Sequence, residues 1–263
     1  MATQALGVLL SVFMVVVSAE PVPGVTALLW ASAAGTSGLI GLSSLFLALS
    51  RGTMGLVAPL TAVIAAAVPA LIGVVTGDQL DPAAMMGMLL ALAAVVAVAT
   101  PDRDGTPGGL TRSRNGRLAE WGLVLFAGLG FAGFFLGVDR ALALGAGPWW
   151  TLVMSRSTSL CIIALLGAVL VARGRAPSVS GTRAVLPLLA ASALGDTGGN
   201  LFFVLSRSET TLAISVVLSS LYPVSTAILA RIVLHERLSR QALLGVALAV
   251  CGVVLIGLGS TAG

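Results

Sequence analysis

The chain has 263 residues, of which 57% are hydrophobic and 9% charged, and its mean hydropathy is +1.07. A soluble domain carries about 25% charged residues, so this chain has too few to cover itself with a solvated surface, and a water-soluble globular protein is excluded. The net charge of +4 comes from fourteen arginines and no lysine against ten acids. Most of the arginines sit in turns between apolar runs, which points to a membrane surface and away from nucleic acid. A composition dominated by Ala, Val, Leu and Gly suggests a GC-rich bacterial genome, hence an inner membrane.

A membrane-spanning helix needs about 20 apolar residues, and a chain in lipid must pair its backbone groups internally. The long runs therefore predict an all-α polytopic membrane protein. Nine transmembrane helices are expected, at 2–18, 24–49, 55–76, 83–100, 119–138, 149–171, 184–206, 210–234 and 241–259. The first run lacks a basic lead-in and a clear small-residue cleavage site, so it reads as a span and not a signal peptide. Turns at 51–53, 77–82 and 207–209 are short. The one linker is 101–118, PDRDGTPGGLTRSRNGRL, whose Pro, Gly and charges break the helical pattern.

That linker divides a first repeat, 1–100, from a second, 119–263. The tripeptide LSR occurs at 49–51 and again at 205–207. Nine residues separate Asp78 from Gly87, and nine separate Glu236 from Gly245. Gly87 and Ala91 match Gly245 and Ala249. The chain is an internal duplication. Its second half has five spans and its first four, with no counterpart to 119–138. Either nine spans are the whole set, or the true start lies upstream. A five-helix unit inverts its copy in the membrane, putting loops 77–82 and 235–240 on opposite faces. Eleven of the fourteen arginines fall on one face, with Arg140, Arg156 and Arg207 on the other. Arg-rich short loops stay cytoplasmic, so the N-terminus is expected inside and the C-terminus outside.

These features resemble the drug/metabolite transporter superfamily, of the two-repeat EamA type. The resemblance is carried by the duplicated short-turn bundle, by Pro223 thirteen residues before Glu236, by the turn Glu236-Arg237-Leu238, and by the Gly245 helix ending in GVVLIGLG. It covers nearly the whole chain and is stronger in the second half. In the first half Asp78 stands where the family has Glu, and the proline is Pro69, with Ala65 at the matching position. The resemblance implies ten helices in typical relatives, both termini cytoplasmic, and a secondary active transporter, often an exporter of metabolites or drugs. Its partners would be a small-molecule substrate, protons as a coupling ion, the lipid bilayer, and a second copy in a homodimer. No cofactor is expected. Transporters built from inverted repeats also place substrate near the bilayer midplane at the repeat interface.

Asp196 is the most informative residue. It lies near the centre of its span, where an acid costs about 2.5–3.5 kcal/mol on insertion scales. Asn200 is one turn on, on the same face; Thr197 adjoins, and Gly195, Gly198 and Gly199 strip bulk around it. The expectation is a polar cavity wall, with Asp196 binding a cationic group or carrying a proton; a structural hydrogen bond between helices is the plainer reading. Tyr222, beside the helix-bending Pro223, is a second candidate for the wall. Arg156, two turns into its span, either snorkels outward or faces the cavity.

Asp139, Arg140 and Glu120 with Trp121 read as interfacial, and Trp149-Trp150 as an aromatic belt. Arg231 with His235, and Glu236 with Arg240, are local pairs at a helix end, and the lone His235 makes no metal set. Cys161 and Cys251 read as small hydrophobes. Gly133 with Gly137, Gly87 with Ala91, and Gly245 with Ala249 mark close helix contacts. An intramembrane enzyme is disfavoured, since there is no lysine for a Ser/Lys dyad and neither HExxH nor GxSxG. A channel would show a filter or a charged ring. A structural membrane protein is the alternative that substrate-dependent transport in proteoliposomes separates from a carrier.

Overall fold

With water absent, a backbone of Ala, Val and Leu closes its own hydrogen bonds as helices. The computed structural model describes residues 2–51, 54–77, 81–99, 114–174, 182–221, 224 and 240–260. Among them are nine helices and no strand: α1 (Ala2–Ser18), α2 (Val25–Arg51), α3 (Met54–Thr76), α4 (Pro82–Ala99), α5 (Arg114–Ala143), α6 (Pro148–Ala172), α7 (Thr182–Glu209), α8 (Leu212–Ser219) and α9 (Arg240–Ser260). The protein is an all-α polytopic membrane protein. Three helical stretches among the described residues, Val25–Ser50, Trp121–Ala143 and Pro148–Ala172, are long and apolar enough to cross a bilayer, and four shorter apolar helices accompany them.

The helices begin and end within a few residues of the predicted spans, with two differences. α5 starts five residues early and runs five further, because its polar ends, Arg114 to Leu118 and Asp139 to Ala143, continue the helix beyond the apolar run. The predicted span 210–234 is described only as α8 and the turn at Ser220 and Leu221. Thr211 caps α8 by accepting from the Ile214 N–H. Tyr222, Pro223, the 235–239 turn, Asp78 and most of the 101–118 linker lie outside the described residues.

Two compact units form, and neither is one sequence repeat. The first comprises Met1–Leu39 and Gly133–Glu209; the second comprises Ile40–Ala132 and Thr210–Gly263. Each draws on both halves of the sequence.

In the first unit α1 packs on α6 and α7. Small residues set the distances. A Cβ on Gly35 of α2 would collide with the backbone carbonyl of Ser155 on α6, so only glycine allows that approach. Ser159 uses the closeness and donates to the Gly35 carbonyl at 2.8 Å. Gly133 and Gly137, expected to mark a helix contact, meet Ser37 and Ala34 of α2. Ala27, Ala31, Ala141 and Ala146 complete a small-residue core with Met154.

In the second unit the tightest pairing joins α4 to α9. A Cβ on Gly87 would sit 2.6 Å from the Gly252 carbonyl oxygen, and one on Gly252 would sit 2.8 Å from that of Gly87 and 3.0 Å from the Ala91 nitrogen. Ala94 packs in one cluster with Ala249. As numbers rise along α4 they fall along α9, so the two helices run antiparallel. A second cluster gathers Ala70, Ala84, Met88 and Ile256 with Ala213, Ile214 and Val217 of α8. A third gathers Ala48, Val57 and Val124.

Candidate functional site

The first unit holds four of the candidate residues, Arg156, Asp196, Thr197 and Asn200. Asp196 lies midway along α7, and Arg156 lies two turns into α6. The sequence marked each as a misplaced charge, and the fold brings them together. Arg156 Nη1 donates to Asp196 Oδ2 at 2.8 Å, and Nη2 donates to the backbone carbonyl of Asp196 at 3.0 Å. The arginine therefore does not snorkel to the surface. Its side chain is 4% exposed, whereas that of Asp196 is 47% exposed.

Helix spacing carries Asn200 to the same face. Its Nδ2 donates to Asp196 Oδ1 at 3.4 Å, a long and weak bond. Thr197 turns the other way and is buried, and its hydroxyl has no partner among the described residues. Arg156 Nε is buried and unpartnered in the same sense. Tyr222, the remaining candidate, lies outside the described residues.

Two residues of α1 complete the arrangement, and neither was singled out in the sequence. Gln4 Oε1 accepts from Arg156 Nη1 at 3.2 Å. Gly7 makes the room: a Cβ there would stand 2.9 Å from both Arg156 Nη1 and Thr197 Oγ1. An amide in the first turn of an apolar run was the available signal for Gln4. It reads as interfacial until the partner helix is known. For Gly7 the signal was its position one turn before Ser11, whose hydroxyl donates back to the Gly7 carbonyl at 2.8 Å.

Glu20 fixes α6 at its start. α6 opens with Gly147 as N-cap and Pro148, so it has no capping side chain of its own and one N–H fewer to satisfy. Glu20 supplies the missing acceptors. Oε1 takes the Trp149 N–H at 3.2 Å, Oε2 takes the Trp150 N–H at 3.1 Å, and the Glu20 carbonyl takes the Trp150 indole N–H at 3.2 Å. The tryptophan pair expected in an aromatic belt is thus tied to the α1–α2 connection by both backbone N–H groups and by the indole of its second member. Ala19, with φ of 49°, turns the chain to deliver the carboxylate. That left-handed conformation costs a non-glycine residue about 1–2 kcal/mol.

At another level of α7, Arg207 pairs with Asp139 of α5. One turn earlier Phe134, Phe135 and Phe203 cluster edge-on and tilted, with Phe135 and Phe203 centroids 4.6 Å apart. Asp139, expected at an interface, is one-fifth exposed and tied across to α7. Cys161 and Cys251 are free thiols, both exposed.

Residues 119–258 match the EamA-like transporter family, more than half of the chain, and the protein belongs to that family. It is a membrane transporter of small molecules, from a family of transporters and not of enzymes. A solved crystal structure, described only as that of a protein, is similar with a TM-score of 0.71 at 19% identity. The similarity covers 99% of this chain and 86% of the other, and it concerns the fold alone. No curated protein matches the sequence.

Proposed function

We propose that this protein is a secondary active transporter of the bacterial inner membrane. It exports a small metabolite or drug by alternating access, with Arg156, Asp196, Asn200 and Thr197 forming the core of its binding site. The observation that carries the reading is the asymmetric pair. A guanidinium buried in the first unit is matched by a carboxylate that is half exposed at the middle of its helix. An acid open at that depth is tolerated where its open side meets water or a ligand, because hydrocarbon offers it no hydrogen-bond donors.

Protons are the coupling ion in this reading. Asp196 is the member of the pair with an open side, so it is the group that exchanges a proton while the site reorganises. Purified protein in proteoliposomes, given a panel of labelled metabolites and an imposed pH gradient, tests this. Wild-type protein is expected to accumulate its substrate against a gradient. Asp196→Asn keeps the size and a hydrogen-bonding group but has no proton to exchange. It should lose proton-driven accumulation and retain substrate exchange. Uphill transport with wild-type pH dependence in the Asn variant refutes the coupling role. Absence of substrate-dependent flux across the whole panel, with folded protein in the vesicles, refutes transport.

A further inference from the structure

We infer that the cargo carries an anionic group, a carboxylate in the simplest case, and that it binds by taking the place of Asp196 on Arg156. This rests on the transporter reading and adds the class of cargo. The argument begins with the difference in burial within the pair. Arg156 is 4% exposed and Asp196 is 47% exposed. A cation that settles on Asp196 draws the carboxylate away and leaves a buried guanidinium facing only Gln4 and one backbone carbonyl. Removing the counter-charge of a buried ion is the costly way to open a pair. An anion that settles on Arg156 leaves the guanidinium paired throughout. It frees only Asp196, whose side chain already has an open side and keeps its hydration. Exchange is cheap with an anion and expensive with a cation.

The way Asp196 is held fits the same conclusion. Only Nη1 reaches its carboxylate, while Nη2 is engaged by its backbone carbonyl. A guanidinium presents a planar fork suited to two carboxylate oxygens, and here one carboxylate oxygen takes one N–H. The backbone bond and the Gln4 bond at 3.2 Å do not depend on the Asp196 side chain. Arg156 therefore stays aimed when that side chain swings out.

The test uses purified full-length protein in phosphatidylcholine nanodiscs and matched probes: butyrate, butylamine and butyramide, then benzoate, benzylamine and benzamide. Binding is read by calorimetry and by the shift in unfolding temperature. Carboxylates are expected to bind and the amines and amides not. Asp196→Asn removes the internal competitor, so it should tighten carboxylate binding by about tenfold, the factor that corresponds to ~1.4 kcal/mol. Arg156→Gln should abolish it. Should that variant not fold, the direction of the Asp196→Asn effect still decides. Binding of amines in place of carboxylates, binding of neither series, or weaker carboxylate binding in Asp196→Asn overturns the inference. Counterflow of an amine in proteoliposomes would leave the transporter reading standing while this inference falls.

Discussion

The clamp on α6 gives a prediction whose size can be worked from the geometry. Glu20 supplies both carboxylate oxygens to backbone N–H groups of Trp149 and Trp150. Losing a capping side chain costs about 0.5–2 kcal/mol, and losing a negative charge at a helix N-terminus costs about 0.3–1 kcal/mol. Glu20→Ala should therefore destabilise by about 2 kcal/mol. For a chain of this size 1 kcal/mol moves the midpoint by roughly 2–4 °C, so the unfolding temperature should fall by about 4–8 °C. Gly147→Ala should cost nearly as much by a different route. Its φ of −74° and ψ of 162° suit alanine, but the added Cβ would overlap the Glu20 carboxylate and push it off the helix.

Because both changes remove the same clamp, they are not additive. The double variant should be little worse than either single one, with a coupling of about 1–2 kcal/mol, well above the ~0.5 kcal/mol scatter for independent sites. The measurement is thermal unfolding of the four proteins in one detergent, followed by helical circular dichroism. Full additivity, or an undisturbed Glu20→Ala, would show that the carboxylate does not cap α6.

Two further predictions concern other levels of the fold. Gly252→Ala places a Cβ 2.8 Å from the Gly87 carbonyl oxygen, a backbone atom without freedom to yield. It should cost about 1–3 kcal/mol, as overpacking does, and lower the yield of folded protein in size-exclusion chromatography; wild-type yield and unfolding temperature would refute the tight α4–α9 crossing. The arginine distribution predicts a C-terminus outside, so a fluorescent protein that matures only in the cytoplasm, fused after Gly263, should leave cells dark; bright cells would refute the assignment and favour the cytoplasmic C-terminus implied by the family resemblance.

What the sequence made legible divides along a physical line. Element positions were readable because an apolar run states its own length, and α1 to α4 lie within two residues of the predicted spans. Asn200 could be placed beside Asp196 because a helix fixes its i, i+4 neighbours. The Arg156–Asp196 pair was not readable as a pair. Each charge announced itself by its cost in lipid, but nothing in one sequence states which helices touch. Arg156 could accordingly be read either as snorkelling outward or as facing a cavity. Glu20 was missed for the same reason. It sits past the end of α1 among Pro21, Val22, Pro23 and Gly24, and its partner is the start of a helix far along the chain. The signal lay at the other end: Gly147-Pro148 opens α6 without a capping side chain, so its N–H groups needed an acceptor from elsewhere.

The α4–α9 crossing bears on the duplication itself. In the sequence the offset from Asp78 to Glu236 equals that from Gly87 to Gly245. Applied to the contact between Ala91 and Gly252, that offset exchanges the two helices and returns the contact between Ala94 and Ala249. The Ala91–Gly252 contact is present, and Ala94 and Ala249 pack in one buried cluster. An antiparallel pair of helices that the repeat offset exchanges is the arrangement expected of two inverted copies. The small residues on both helices then follow from one constraint, since a bulky side chain acquired by either copy would meet the backbone of the other.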